Sequence, residues 1–232
     1  MTLRDRLLLS PLYDWFGKRS YAQSGEDIIA DIELGKKKKG IYIDVGAFHP
    51  KLFSNTYLFY KRGWSGVVIE PRPEAREDFL KVRPRDKFVG LGVGAKKDVL
   101  EYMEFDESAA NTFSKTQAEK NTKEAGRKLL RRINVAVMPL RDILASCGME
   151  GAVIDLMSVD VEGMDEEVLR SNDWEKFRPK LIICEDLEFE FQKPQSSGVV
   201  KYLLGLDYAL VAKTPYSLIF RDSNISVYTK PI

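Results

Sequence analysis

Residues 41–50 read IYIDVGAFHP, and this stretch decides the fold class. Its first five residues are apolar except for one aspartate, a pattern that indicates a strand buried on both faces of a sheet. Gly46 and Pro50 end that pattern and indicate a turn. We therefore expect a buried strand at 41–45 that runs directly into a glycine turn.

Short strand-like segments alternate with helix-like segments along the chain. The predicted strands are 41–45, 66–70, 88–93, 99–105, 133–138, 152–160, 181–185, 208–212, 216–220 and 225–228. The predicted helices are 55–62, 74–82, 116–132, 140–146, 162–170 and 198–204. This alternation predicts an α/β fold with a mostly parallel, doubly wound sheet, and the tight connections between the last strands predict an antiparallel C-terminal hairpin. The length of 232 residues predicts a single domain over 1–232.

The overall composition argues against several classes of protein. Lys and Arg number 36 and Asp and Glu 35, so there is no basic excess for nucleic-acid binding. No apolar run has the length of a transmembrane segment. Cys147 and Cys184 form neither a disulfide framework nor a metal motif, so we expect a cytoplasmic protein. Residues 1–17 carry a helical apolar stripe, which predicts a helix docked on the core or on a partner; a membrane-surface helix is the alternative.

Four predicted strands end in an acidic residue. These acids are Asp44, Glu70, Asp160 and Glu185, and each closes an apolar run. A buried carboxylate is costly, so an acid at the end of a strand is best explained by exposure in a cleft there. The carboxyl ends of parallel strands lie at one edge of the sheet, where such folds bind their ligands. The four acids together therefore predict a site at that edge.

The first of these acids begins an Asp44-x-Gly46 turn. The turn lacks the Gly-x-Gly-x-x-Gly pattern that cradles dinucleotide phosphates, which argues against NAD. S-adenosylmethionine has no phosphates and needs no such cradle, so the turn fits this methyl donor. Gly46 is expected to let the donor approach the backbone closely. Glu70 ends the second strand at close to the roughly 20-residue spacing of ribose-binding acids, so it is expected to accept both ribose hydroxyls.

Six short motifs follow one another between residues 21 and 163. They are YAQSGED at 21–27, IDVGAFHP at 43–50, SNT at 54–56, RGWSG at 62–66, IEP at 69–71 and VDVEG at 159–163. In this order they resemble the FkbM-type methyltransferases, with the resemblance extending to about residue 187. It implies a Rossmann-like methyltransferase fold, S-adenosylmethionine as donor, methyl transfer usually to oxygen, and an N-terminal helical segment, 1–35, folding over the donor. The implied donor-binding residues are Gln23, Glu26, Asp27, Asp44, Gly46, His49, Asn55, Thr56 and Glu70.

Three residues are candidates for the group that removes the acceptor's proton. His49 is the only histidine, and we expect it to contact the donor or to act as a general base. The alternative is a hydrogen-bonded histidine in the turn before Pro50. Asp160 and Glu162 are the other two candidates for the base.

A metal site is a further hypothesis. Asp160 ends one predicted strand, and Glu185 and Asp186 end the next. If the two strands are neighbours, the three carboxylates converge and suit Mg²⁺, similar to metal-dependent O-methyltransferases that grip two vicinal hydroxyls. The alternative is that Asp160 and Glu162 position the substrate without a metal.

The sequence thus predicts an S-adenosylmethionine-dependent O-methyltransferase. Because many FkbM relatives act on sugars, the expected acceptor is a hydroxyl of a sugar, a glycan or a glycosylated natural product. N-methylation of a small amine and a donor-binding module without turnover are the alternatives, and a homo-oligomer is left open. The polar segments 104–132 and 186–198 are expected to select the acceptor.

Overall fold

The computed structural model describes residues 19–225 and contains a seven-stranded sheet. Its strands run in the order β3-β2-β1-β7-β8-β10-β9. Their bounds are β1 Ile41–Val45, β2 Ser65–Ile69, β3 Lys87–Val89, β7 Leu156–Val159, β8 Leu181–Glu185, β9 Tyr208–Lys213 and β10 Ser217–Asp222. The first five strands in this order are parallel, whereas β10 is antiparallel to both β8 and β9. The predicted mostly parallel sheet with an antiparallel C-terminal hairpin is confirmed.

Seven α-helices lie among the described residues, and six of them pack on the two faces of this sheet. Their bounds are α1 Glu26–Glu33, α2 Tyr57–Lys61, α3 Ala75–Val82, α4 Lys115–Lys123, α5 Leu140–Ser146, α6 Asp165–Arg170 and α7 Gly198–Leu204. Alternate residues of β1 face two separate cores: Tyr42 packs with residues of α1, α2 and α3, and Ile43 packs with residues of α5, α6 and α7. This alternation follows from the two-residue period of a strand, and it confirms the doubly wound architecture. No helix among residues 19–225 is long and apolar enough to cross a membrane.

A second, three-stranded sheet is inserted between β3 and α5, in the order β4-β6-β5. Its strands are β4 Gly92–Val93, β5 Asp98–Phe105 and β6 Leu129–Met138. Two predictions are wrong here. The predicted strand 88–93 is divided between the two sheets, and the predicted helix 116–132 ends with α4 at Lys123. Gly126 then has a φ of +64°, and Leu129 begins the strand that pairs with β5.

The topological switch point lies at β1, whose neighbours in the sheet are β2 on one side and β7 on the other. In doubly wound sheets the crevice outside the carboxyl ends of the strands at this point binds the ligand. The predicted helix at 1–17 and residues 226–228 of the predicted last strand lie outside the described residues.

Candidate functional site

A cavity of about 240 Å³ opens at the carboxyl ends of the parallel strands. Eight of the residues predicted from the sequence line it, namely Gln23, Asp44, Gly46, Asn55, Glu70, Asp160, Glu162 and Glu185. Five predicted residues do not line it, namely Glu26, Asp27, His49, Thr56 and Asp186. The four strand-end acids therefore meet at one cavity, as the strand pattern predicts, but Asp44 and Glu70 are buried there and not exposed as expected.

Asp44 lies in the floor of the cavity and is almost completely buried. Thr56 donates a short hydrogen bond to its Oδ2 atom, and Nη1 of Arg83 lies 3.6 Å from the same atom. Burial raises the pKa of Asp44, and the positive charge of Arg83 acts in the opposite direction. Thr56 is thus a neighbour of Asp44 beneath the cavity and not part of the cavity wall.

Gly46 packs against the backbone that leaves β7. Its φ is +74°, in the left-handed region that favours glycine. A Cβ atom added here would lie 1.8 Å from the carbonyl oxygen of Asp160, which is far inside van der Waals contact. The sequence predicts that Gly46 admits a ligand; the structure gives the glycine a second reason, because two strand ends could not approach each other with a side chain between them.

Glu70 is buried at the end of β2, and both of its oxygens already accept hydrogen bonds. The Phe48 backbone N–H donates to Oε2 at 2.8 Å. The backbone N–H and the Nε of Arg72 donate to Oε1 at 3.0 and 3.2 Å. Each carboxylate oxygen can accept more than one hydrogen bond, so Glu70 keeps capacity for a ligand while its orientation is fixed.

Three carboxylates converge on the other side of the cavity. Oxygen atoms of Asp160, Glu162 and Glu185 lie within 4.8 Å of one another. Burial, together with the charges of Asp44 and Glu26, raises the pKa of Asp160 to about 6. Burial and the charge of Asp160 raise the pKa of Glu162 to about 8 and that of Glu185 to about 11. The cluster therefore retains protons at neutral pH, when isolated carboxyl groups would have lost them.

Asp186 does not belong to this cluster, although it directly follows Glu185. Its Oδ2 accepts a hydrogen bond from the Ser197 hydroxyl at 2.6 Å, and its Oδ1 accepts one from the Glu188 N–H at 3.1 Å. The predicted metal-ligand set of Asp160, Glu185 and Asp186 therefore does not converge. Successive residues of an extended segment point to opposite sides, so Asp186 points away from the side that Glu185 faces. Glu162 is the third member of the cluster instead.

His49 holds a turn instead of facing the cavity. Its Nδ1 atom accepts hydrogen bonds from the backbone N–H groups of Lys51 and Leu52 at 3.1 and 2.9 Å. Partial burial lowers the pKa of its imidazole. This arrangement corresponds to the alternative interpretation of a hydrogen-bonded turn histidine, and the donor-contact and base roles of His49 have no support in the geometry.

Two acids of the YAQSGED motif organise the segment that carries Gln23 to the cavity. Glu26 accepts a hydrogen bond from the Thr214 hydroxyl at 2.6 Å. Asp27 accepts bonds from the Ser20 hydroxyl at 2.6 Å and from the Tyr21 N–H at 2.7 Å. The Glu26 contact joins α1 to the turn between β9 and β10, and the Asp27 contacts join α1 to the residues that precede it.

A sequence profile of the methyltransferase FkbM domain matches residues 44–210, which is most of the chain. The protein belongs to the FkbM methyltransferase family. None of the curated protein sequences matches it.

Three solved structures are similar to this FkbM-family chain. Methyltransferase FkbM of Methylobacillus flagellatus KT shares 15% identity with a TM-score of 0.46, over 94% of this chain and 52% of that one. Precorrin-6y C5,15-methyltransferase of Geobacter metallireducens GS-15 shares 12% with a TM-score of 0.43, over 88% and 91%. An SAH-bound methyltransferase of Podospora anserina shares 12% with a TM-score of 0.39, over 94% and 84%. This chain spans about half the length of the first of these proteins.

The inserted sheet of this FkbM-family chain closes the cavity from above. Tyr102 of β5 lines the cavity and packs against Phe113, with ring centroids 4.6 Å apart. Arg127 lines it too, and its guanidinium donates hydrogen bonds to Glu107 at 2.9 Å and to Asn121 at 3.0 Å. None of these residues ends a predicted parallel strand, so the strand-end pattern could not find them. The local signals for the sheet that carries Tyr102 were the alternation of apolar residues at 99–105 and the strand pattern at 133–138.

Proposed function

We propose that this protein transfers the methyl group of S-adenosylmethionine to a hydroxyl group of a sugar or glycan. The observation that carries the proposal is the cluster of Asp160, Glu162 and Glu185 beside the cavity floor formed by Asp44 and Glu70. One half of the cavity thereby offers groups suited to an adenosyl ligand, and the other half offers one proton acceptor, Asp160, beside two hydrogen-bonding carboxyl groups.

The donor is placed by the ends of β1 and β2. Glu70 accepts the ribose hydroxyls, since its carboxylate is fixed at a strand end in the position used for ribose in other doubly wound folds. Asp44 lies between Glu70 and the carboxylate cluster and faces the amino-acid end of the donor. Arg127 is the only basic residue among the described residues that line the cavity. A donor without phosphate groups agrees with this scarcity of positive charge.

Methyl transfer requires an in-line approach of the acceptor oxygen to the methyl carbon. The new C–O bond forms as the C–S bond breaks, and the electron pair of the C–S bond stays on sulfur. The protein contributes mainly by holding the two reactants in line. Asp160 takes the hydroxyl proton, because its pKa of about 6 leaves it ionised at neutral pH and still basic enough to accept a proton.

Glu162 and Glu185 orient the sugar that receives the methyl group. Their raised pKa values keep them protonated at neutral pH, so each donates one hydrogen bond and accepts others. Neighbouring hydroxyls of a sugar ring match such donor–acceptor pairs. Leu187 and Tyr216 line the mouth of the cavity with large exposed side chains and offer an apolar contact to the face of a sugar.

The cluster also has the chemistry of a Mg²⁺ site, since all three side chains offer carboxylate oxygens. Asp160, Glu162 and Glu185 would hold the ion, which would supply positive charge next to the acceptor hydroxyl. Proton acceptance by Asp160 requires no such ion, and we therefore make it the primary proposal.

A small amine is the second candidate acceptor. Asp44, Glu70, Glu107, Asp160, Glu162 and Glu185 line the cavity, against the single positive charge of Arg127. Such an excess of acidic groups attracts a cationic amine. The hydroxyl stays the first candidate, because the protonated glutamates pair with a polyol without a change of charge.

Titration calorimetry with S-adenosylmethionine and S-adenosylhomocysteine tests the donor. Incubation with methyl-labelled S-adenosylmethionine and panels of sugars, glycans and amines, read by mass spectrometry, then tests the acceptor. An O-methylated sugar is the expected product. Absence of binding of both methyl-cycle ligands would contradict the proposal, and an N-methylated amine as the sole product would replace the acceptor class.

A further inference from the structure

A completely buried arginine lies directly beneath the cavity floor. The Arg83 side chain is 0% exposed, and its guanidinium lies over the rings of Tyr42, Tyr60 and Phe79 at 5.2, 5.5 and 5.4 Å from their centroids. Transfer of a guanidinium from water to such surroundings is costly unless the charge is paired and hydrogen-bonded. The partners of Arg83 therefore indicate what the charge is for.

The polar partners of Arg83 form a chain that leads to the cavity. Nε donates to Asp86 Oδ2 at 2.6 Å. Nη2 donates to the Thr56 hydroxyl oxygen at 2.9 Å, and the same hydroxyl donates onward to Asp44. Asp44 is the last member of this chain and lines the cavity. Nη1 of Arg83 also donates to the Ser54 hydroxyl oxygen at 3.4 Å, and Ser54 lines the cavity as well.

The ion pair with Asp86 would by itself neutralise Arg83. Asp86 lies three residues away in the sequence and also accepts a hydrogen bond from the Tyr42 hydroxyl. Yet the guanidinium extends past this local pair to Thr56 and Asp44, which lie 27 and 39 residues earlier in the chain. An arginine that only closed the turn after α3 would need neither contact.

Both contacts to Asp44 use the same oxygen atom. Thr56 donates to Oδ2, and Nη1 of Arg83 lies 3.6 Å from Oδ2. Among residues 19–225 no hydrogen bond to Oδ1 is formed, so this second oxygen is left for a ligand in the cavity. The carboxylate is thus fixed through Oδ2 on the side of Arg83, and Oδ1 is left for the cavity side.

We propose that Arg83 and Thr56 are positioning residues that keep the Asp44 carboxylate ionised and turned toward the ammonium group of the methyl donor. This inference rests on the proposed donor. Asp86 and Asp160 are the negative charges that face Asp44 from neighbouring segments, and Arg83 is the positive charge that offsets them. Loss of the Arg83 charge would raise the pKa of Asp44 further, because burial and the charge of Asp86 already raise it. A protonated Asp44 attracts an ammonium group less strongly than an ionised one.

Two ligands separate this role from a structural one. S-adenosylhomocysteine carries the ammonium group, whereas 5′-methylthioadenosine shares its adenosine and thioether and lacks the amino-acid end. Distortion of the cavity would weaken the binding of both ligands, but loss of the Asp44 orientation would weaken the binding of S-adenosylhomocysteine alone. The comparison therefore reports on the contact made by Asp44.

The experiment measures both dissociation constants by calorimetry for Thr56→Val, Arg83→Met and Arg83→Lys. Arg85→Met is the matched control, since Arg85 also lies over the Tyr60 ring and makes no contact with Asp44. We expect Arg83→Met to weaken S-adenosylhomocysteine by about tenfold or more and 5′-methylthioadenosine by less than about twofold. Thr56→Val should weaken S-adenosylhomocysteine selectively by a smaller factor, and Arg83→Lys should restore part of the affinity because it keeps the charge.

Thr56→Val decides the question if Arg83→Met does not fold, because valine nearly matches the shape of threonine. Equal weakening of the two ligands in Thr56→Val overturns the inference and leaves Arg83 and Thr56 as structural residues. Unchanged affinity for S-adenosylhomocysteine in Thr56→Val and Arg83→Met overturns it as well. If the wild-type protein binds neither ligand, the proposed donor itself is wrong, a result distinct from these two.

Discussion

The Phe48 backbone nitrogen lies 2.8 Å from Oε2 of Glu70, to which it donates a hydrogen bond. The bond joins the turn after β1 to the end of β2. Arg72 strengthens the same link, since its guanidinium donates to the Phe48 carbonyl oxygen and lies over the Phe48 ring. The turn after β1 and Glu70, the predicted ribose-binding residue, therefore form one preformed unit. A test of Glu70 has to leave this unit intact.

Glu70→Gln should weaken S-adenosylhomocysteine binding by about 1–3 kcal/mol, because an amide offers only one acceptor oxygen to the ribose, Phe48 and Arg72. Glutamine keeps the size of the side chain, whereas Glu70→Ala would also leave the Phe48 N–H without its partner. Calorimetry measures the affinity, and Glu77→Gln on the exposed face of α3 is the control. Wild-type affinity in Glu70→Gln would contradict the ribose assignment.

Gly46→Ala should destabilise the protein by more than about 2 kcal/mol. The positive φ alone costs an L-residue roughly 1–2 kcal/mol, and the added Cβ would also collide with the Asp160 carbonyl oxygen 1.8 Å away. Gly148→Ala is the matched control, because Gly148 has a φ of +68° with nothing within 4 Å of an added Cβ. Chemical denaturation of the two variants measures the difference, and equal losses would show that the contact with Asp160 does not matter.

The sequence could predict the strand-end acids because one local rule places them. Asp44, Glu70, Asp160 and Glu185 each close an apolar run, and the carboxyl ends of neighbouring parallel strands meet at one edge. The choice between Glu162 and Asp186 had no such rule. Asp186 is turned away by the pairing of β8 with β10 and by its bond to Ser197, and these contacts join segments far apart in the chain.

The buried network of Arg83, Thr56 and Asp44 could not be predicted from the sequence either, because its contacts also join segments far apart in the chain. Arg83 follows a helix like many exposed arginines, and only the folded chain brings it to Thr56 and Asp44. The extent of the inserted sheet was mispredicted for a different reason. The polar residues from 116 onward have helix-forming composition, and pairing with β5 overrides that propensity from Leu129.

Glu162→Gln should stabilise the protein at alkaline pH. The pKa of Glu162 is raised from 4.5 to about 8 in the folded state, so its contribution to stability is fully present below about pH 4.5 and is lost as the pH rises through 8. Glutamine removes this loss. The melting temperature should therefore exceed that of the wild type near pH 8–9, by about 2–4 °C for each kcal/mol recovered, and the two curves should converge toward pH 5.

Thermal unfolding at a series of pH values measures this difference. Glu119→Gln provides the control, since Glu119 lies on the exposed face of α4 and pairs with Lys123. A Glu162→Gln curve parallel to that of the wild type from pH 5 to 9 would show that burial and the charge of Asp160 do not perturb Glu162.

Asp160→Asn should lower the rate of methyl transfer by about 100-fold or more, because it removes the group proposed to accept the hydroxyl proton. Affinity for S-adenosylhomocysteine should change little, since the proposed contacts to the methyl donor are made by Asp44 and Glu70. Asp186→Asn is the matched control, because the Asp186 carboxylate binds Ser197 outside the cluster. Transfer rates and affinities are measured for both variants with and without a chelator. Transfer that stops with the chelator and returns with Mg²⁺ would assign the cluster to a cation; a fully active Asp160→Asn protein would remove Asp160 from the reaction.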